Sequence, residues 1–244
     1  MVTIKYRKQV LLLLLNTCMF LTVVSQTTAG VNQVMVAGAM RNVMWKGQLH
    51  GTISLDTLSD KKHLYGLGPI EFLRGELIIV NGDVYQSRVV GPTTMKVEKS
   101  GNVKAPFFVS AYVPQWEEYT LPDSVQTLLQ LEAFLDAATK QRMRPFPFRL
   151  TGVASQATIH IVNLPQGKNV SSPDDAHQGQ VNFSLQNESF EIIGFFSTQH
   201  KGVFTHHDTY LHMHLITADK SKMGHLDNVQ FKKGTVKLYL PTIK

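Results

Sequence analysis

A chain of 244 residues, 43% of them hydrophobic, is long enough to bury one sizeable core. Its formal charge of +6 includes Lys5, Arg7 and Lys8; without the first 29 residues it is 6 − 3 = +3, and no Lys/Arg stripe with interleaved aromatics follows, so nucleic acid is not an expected partner. Cys18 is the single cysteine, which excludes a disulfide framework within the chain.

Three basic residues precede the apolar run from Val10 to Val24, and the small or polar "SQTTAG" follows. This is the order of a secretory signal peptide, assigned to residues 1–29 with cleavage after Ser25 or Ala29. The rival reading is a permanent anchor, but a run of 15 residues falls short of the roughly 20 needed to cross a bilayer. The expected mature protein, residues 30–244, is a single domain without a stable membrane span, secreted or periplasmic. It has no thiolate, since Cys18 leaves with the leader.

Branched and aromatic residues mark short strands at Gly51–Leu55 and Glu76–Val90, the latter folded at Asn81-Gly82, where both residues tolerate positive φ. One segment reads as helix, with Asp123 as N-cap and a stripe of Val125, Leu128, Leu129, Leu131, Leu135 and Ala138 ending before Pro145 and Pro147. Further strands are predicted at Phe148–Leu164, Phe190–Ser197, Thr209–Thr217 and Thr235–Leu240, with a polar loop at 165–180. Asn169, Asn182 and Asn187 begin N-x-Ser sequons, a chance occurrence in a Ser/Asn-rich region. The fold class is α+β and strand-rich: two packed sheets, or a mixed sheet plus a barrel-like sheet, with one main helix.

Six of the ten histidines fall between His200 and His225. On a strand, residues two apart share a face, so Tyr210, His212, His214 and Ile216 lie together while Leu211, Met213 and Leu215 turn to a core. The polar turn "ADKSKMG" then returns the chain, and His225 on the returning strand comes beside the first pair. Three neutral imidazoles could converge on one ion and leave it an open position, the arrangement of a catalytic rather than a sealed site. The competing reading is a solvated edge strand. Asp227 could orient a ligand or be a surface carboxylate. His200, His206 and His207 fall in the approach loop "STQHKGVFTHHD".

The segment "YLHMHLITADKSKMGHLDNVQF", with its His-x-His-x10-His spacing, resembles the zinc-binding segment of the acetolactate decarboxylases. "GLGPIEFLRGELIIVNGDVYQ" resembles the family's Leu-x-Gly-Glu block and hairpin, and "FPFRLTG" its arginine-bearing strand. The similarity extends from about Gly51 to Phe231. It implies zinc on His212, His214 and His225, an active-site Glu76 and Arg149, and a homodimer. The implied reaction converts 2-acetolactate to acetoin and carbon dioxide through a metal-stabilised enediolate, with no organic cofactor. Pro69 stands where the family has threonine, and no Asp or Glu follows Asp227 to match the family's second site glutamate, for which Glu71 is the local candidate. Two other functions stay open: an exported metal- or small-ligand-binding protein that has lost the reaction, and a zinc hydrolase, which lacks a His-Glu-x-x-His helix in its support.

Overall fold

The computed structural model describes residues 30–58, 61–206 and 208–243; the leader assigned to residues 1–29 and His207 lie outside the described residues. In chain order the elements are β1 (Val34–Ala37), α1 (Met40–Lys46), β2 (Ile53–Ser54), β3 (Leu64–Pro69), β4 (Glu76–Val80), β5 (Asp83–Gly91), β6 (Thr94–Lys99), β7 (Lys104–Ala105), β8 (Phe108–Tyr112) and β9 (Trp116–Thr120). There follow α2 (Leu128–Ala138), β10 (Phe146–Ile161), α3 (Pro173–Ala176), β11 (Val181–Phe196), β12 (Leu211–Thr217), β13 (Met223–Phe231) and β14 (Lys237–Pro241).

Two six-stranded sheets carry the fold. The first runs β1-β8-β3-β4-β5-β6, the second β11-β12-β13-β10-β14-β9, and β2 pairs with β7 apart from both. Because β11 also pairs with β10, the strands β10, β11, β12 and β13 close a ring. The expected two sheets, one of them barrel-like, are therefore present. Every strand ladder is antiparallel, so the mixed-sheet alternative is not the one adopted.

Alternation decides what each face meets. Leu211, Met213 and Leu215 of β12 point into the ring, where they pack with Phe148, Leu150, Ile192 and Phe196. Ile216, on the other face, joins Ile193, Phe195 and Met223 against Leu67, Ile78 and Val109 of the first sheet. Each fully buried Leu, Ile or Phe contributes about 1.5–3 kcal/mol. His212 and His214 thus face the space between two apolar layers, with no solvent side.

The sequence reading lacks β1, α1, β3, β6, β8 and β9, and three differences have a clear physical reason. The helix starts at Leu128 with Thr127 as N-cap, because Thr127 and Gln130 form a reciprocal capping box. Asp123 instead accepts the Gly234 N–H at 2.8 Å. The polar loop 165–180 contains the short α3, capped by Ser172. Strand β3, "LYGLGP", is buried at every position, so it offers no alternation to read.

Candidate metal centre

His212 and His214 share one face of β12, and antiparallel pairing sets His214 directly opposite His225 on β13. The turn between the strands is held by Asp219, which accepts from the Thr217 hydroxyl at 2.6 Å and the Ser221 N–H at 3.0 Å. Gly224 is required here: a Cβ would sit 2.5 Å from the His160 carbonyl oxygen, so only glycine lets β13 approach β10 this closely. The three rings have centroids 5.0–5.4 Å apart. One nitrogen from each lies within 4.8 Å of the other two.

Burial sets their charge. His214 is fully buried and His212 and His225 nearly so. Desolvation, helped at His214 by the charge of His160, lowers its pKa to about 3. His212 and His225 are pushed well below the usual imidazole range, again first by burial. All three are neutral donors at neutral pH. Nδ1 of His212 and both ring nitrogens of His214 make no hydrogen bond of good geometry, although a backbone carbonyl faces each ring, that of Phe204 at His212 and that of Leu77 at His214. An orphaned buried nitrogen costs about 1–3 kcal/mol, and a shared cation relieves that cost. Three imidazoles with free lone pairs fit a borderline-soft divalent ion such as zinc.

Glu76 opens β4 beside the triad. Its Oε1 accepts the Val162 N–H at 3.2 Å, and Oε2 lies 3.6 Å from Nε2 of His214. Burial pushes this carboxyl well above the usual carboxylate range; the Val162 donor opposes that shift, and Asp227 adds to it. Pro69 is its neighbour across the β3–β4 ladder.

Arg149 does not touch the triad in this structure. It lies on the same sheet row as His214, but Ile193 stands between them, two strand spacings or roughly 10 Å away. Its Nε forms an ion pair with Glu191 at 2.9 Å, and its guanidinium lies 4.4 Å over the Tyr239 ring on β14. Glu71 does not stand in for the second glutamate either, since its Oε2 accepts the Gly51 N–H at 3.2 Å.

In their place the structure brings in His160, His177 and His206. His160 sits across the ladder from His225 with rings stacked at 4.6 Å, and its Nδ1 is 2.6 Å from Asp227 Oδ1. Asp227 therefore orients His160 and not a member of the triad. His206 approaches His225 to 4.9 Å and His212 to 6.0 Å. His200 turns instead to Ser197, 2.7 Å away, and stacks on Phe204. The sequence signal for His160 was the alternation "ATIHI", legible only once β10 is known to pair with β13. Two cavities meet here. An inner one of about 20 Å³ is lined by Pro69, Glu76, His160, His206, His212 and His225 among others. An outer one of about 330 Å³ shares His206 and His225 with it.

The sequence pattern of the family "alpha-acetolactate decarboxylase" matches residues 37–241. A protein of that name from Brevibacillus brevis is 27% identical over 197 residues, covering 81% of this chain and 66% of its own length. One from Methanosarcina mazei is 28% identical over 180 residues, covering 73% and 60%. The chain thus spans somewhat under two thirds of the length of both. Among solved structures, alpha-acetolactate decarboxylase from Bacillus subtilis superposes with a TM-score of 0.70 over 86% of each chain, at 18% identity. A Staphylococcus aureus protein described as similar to alpha-acetolactate decarboxylase gives 0.67 over 86% of each chain, at 17%. At such identities the structural matches speak for the fold alone.

Proposed function

This chain belongs to the alpha-acetolactate decarboxylase family, and from that premise we propose that it converts 2-acetolactate, or a related 2-hydroxy-3-keto acid, to acetoin and carbon dioxide, with zinc held by His212, His214 and His225. One observation carries the reading: three buried imidazoles, all held well below the usual imidazole range, bring one nitrogen each within 4.8 Å of the others, beside a carboxyl group whose pKa burial raises. The ion, when bound, would supply Lewis-acidic positive charge to the substrate's hydroxyl and carbonyl oxygens.

The chain's own residues do the rest. Loss of carbon dioxide breaks one carbon–carbon bond, and its electron pair passes into the neighbouring carbonyl. The carbon then takes up one proton, so an acid anion and a proton yield a neutral hydroxyketone and a gas. Glu76 holds that proton within the buried site. Once it has given the proton up, the Val162 N–H at 3.2 Å stabilises the carboxylate left behind. Pro69, Leu73 and Phe107 line the small cavity around Glu76 and limit the water it can hold.

Zinc analysis and an acetoin assay on the same purified sample test the reading; activity that survives complete removal of metal would reject it. A second reading, a ligand-binding protein without turnover, draws on one feature: among the described residues no Lys or Arg lines either cavity beside the triad. It predicts bound metal and no gas release. Export to a secreted or periplasmic location is proposed on the leader pattern of residues 1–29, and N-terminal sequencing of the exported protein should begin at Gln26 or Gly30. The homodimer that the resemblance implies is likewise proposed, and light scattering on the purified protein measures it.

A further inference from the structure

The triad and Glu76 are enclosed, so a substrate needs an opening, and strand pairing shows where one is. β12 and β13 pair only at His214–His225, Leu215–Gly224 and Ile216–Met223. Continued pairing would set Met213 against Leu226 and His212 against Asp227. Beyond those three pairs β13 keeps its ladder with β10 on its far edge and β12 its ladder with β11, but the two strands no longer pair with each other. The two strands part, and the N-terminal half of α2 bridges them. Just before the helix, Gln126 accepts the Phe231 N–H of β13 at 2.8 Å through its carbonyl and the Gln230 side-chain amide at 2.6 Å through its own. Within the helix, Glu132 accepts from the Thr209 hydroxyl and, at 2.7 Å, from the Tyr210 N–H, which leads into β12.

The outer cavity of about 330 Å³ fills this gap. Leu128, Leu129, Met213 and Leu226 form its apolar wall, while His206 and Asp227 are on its polar side. The inner cavity, at about 20 Å³, has room for one water. His206 and His225 line both and form the neck between them.

We propose that the gap between β12 and β13 is the substrate chamber and that His206 is a substrate contact. A five-carbon acid does not fit in a space for one water, whereas the outer cavity is of the size that small ligands fill. The reacting end lies at the neck, facing Glu76 from outside. The alkyl groups lie against Leu128 and Leu129. This rests on the decarboxylase reading above and adds to it a substrate preference: chains longer than methyl are accommodated along the apolar wall.

The test uses metal-loaded protein and 2-hydroxy-2-methylbutanoate, which has no ketone and cannot decarboxylate, together with its homologue 2-ethyl-2-hydroxybutanoate. Calorimetry on the wild type should give tighter binding of the homologue, by about fourfold for one buried methylene. Leu129→Trp narrows the mouth at a residue that is 78% exposed, so folding is not at risk. That variant and His206→Asn should each weaken binding at least tenfold while metal content stays at the wild-type level. Wild-type affinity in both variants, or no binding to the loaded wild type, overturns the chamber. Wild-type protein that binds through Leu129 and His206 but forms no acetoin rejects the reaction and keeps the chamber. Acetoin formed at full rate by both variants does the reverse.

Discussion

Glu76 and His214 shift in opposite directions from one cause: burial disfavours charge, so the carboxyl's pKa rises and the imidazole's falls to about 3. Glu76→Gln should therefore retain metal yet lower acetoin formation by about 10²–10⁴-fold, the usual weight of a positioned general acid. His214→Ala should lose both, with zinc falling well below one equivalent by atomic absorption. Arg149→Met should lower stability by about 1 kcal/mol in urea titration, since it removes one of the two cations that face Glu191 and leaves Lys220. Residue identity and spacing were enough to single out His212, His214 and His225, because a period of two fixes which side chains share a face. They do not give the partners of Arg149, because Glu191 and Tyr239 come to it from separate strands distant in sequence.

Strand β12 is legible because its two faces meet different surroundings, apolar side chains within the ring and imidazoles outside it. Helix α2 was legible in its stripe and misplaced at its start, since Asp123 and Thr127 are both acceptable caps and only Thr127 has Gln130 three residues on to complete the box. Thr127→Ala should cost about 1 kcal/mol. Leu135→Ala, at a fully buried position, should cost about 2–5 kcal/mol. Leu129→Ala should cost under about 0.5 kcal/mol, because that side chain faces outward. Chemical denaturation of the three variants ranks them. The same helix lies over the gap between β12 and β13, so exposed Leu129, which the hydrophobic stripe assigned to a core, lines a cavity, while half-buried Leu128 both lines it and packs on the core.

For the whole molecule, the enclosed site makes metal-free protein sensitive to pH from both sides. His214 titrates at 6.5 when unfolded and about 3 when folded, so the unfolded chain binds more protons in between. Stability from this group is complete above pH 6.5 and is lost as pH falls towards 3. Glu76 works in the other direction. Its folded value is raised from 4.5, so stability it confers at low pH is lost as pH rises through the folded value. Thermal melts of metal-free protein should show a maximum at intermediate pH, and Glu76→Gln should remove the decline on the alkaline side only. Zinc at 100 times its Kd should then add about 2.7 kcal/mol near neutral pH.

The sequence by itself determined the strand-rich class, the Asn81-Gly82 hairpin, the apolar and histidine faces of β12 and the return of His225. All of these depend on local conformation or on the short-range period of side chains along a strand. Only the tertiary structure decided that β10 and β11 close a ring, that His160 and His206 stand beside the triad, that Arg149 pairs with Glu191, and that β12 and β13 part beyond His214. Those outcomes depend on which distant strands become neighbours, and pairing of that kind is settled by the packing of whole sheets.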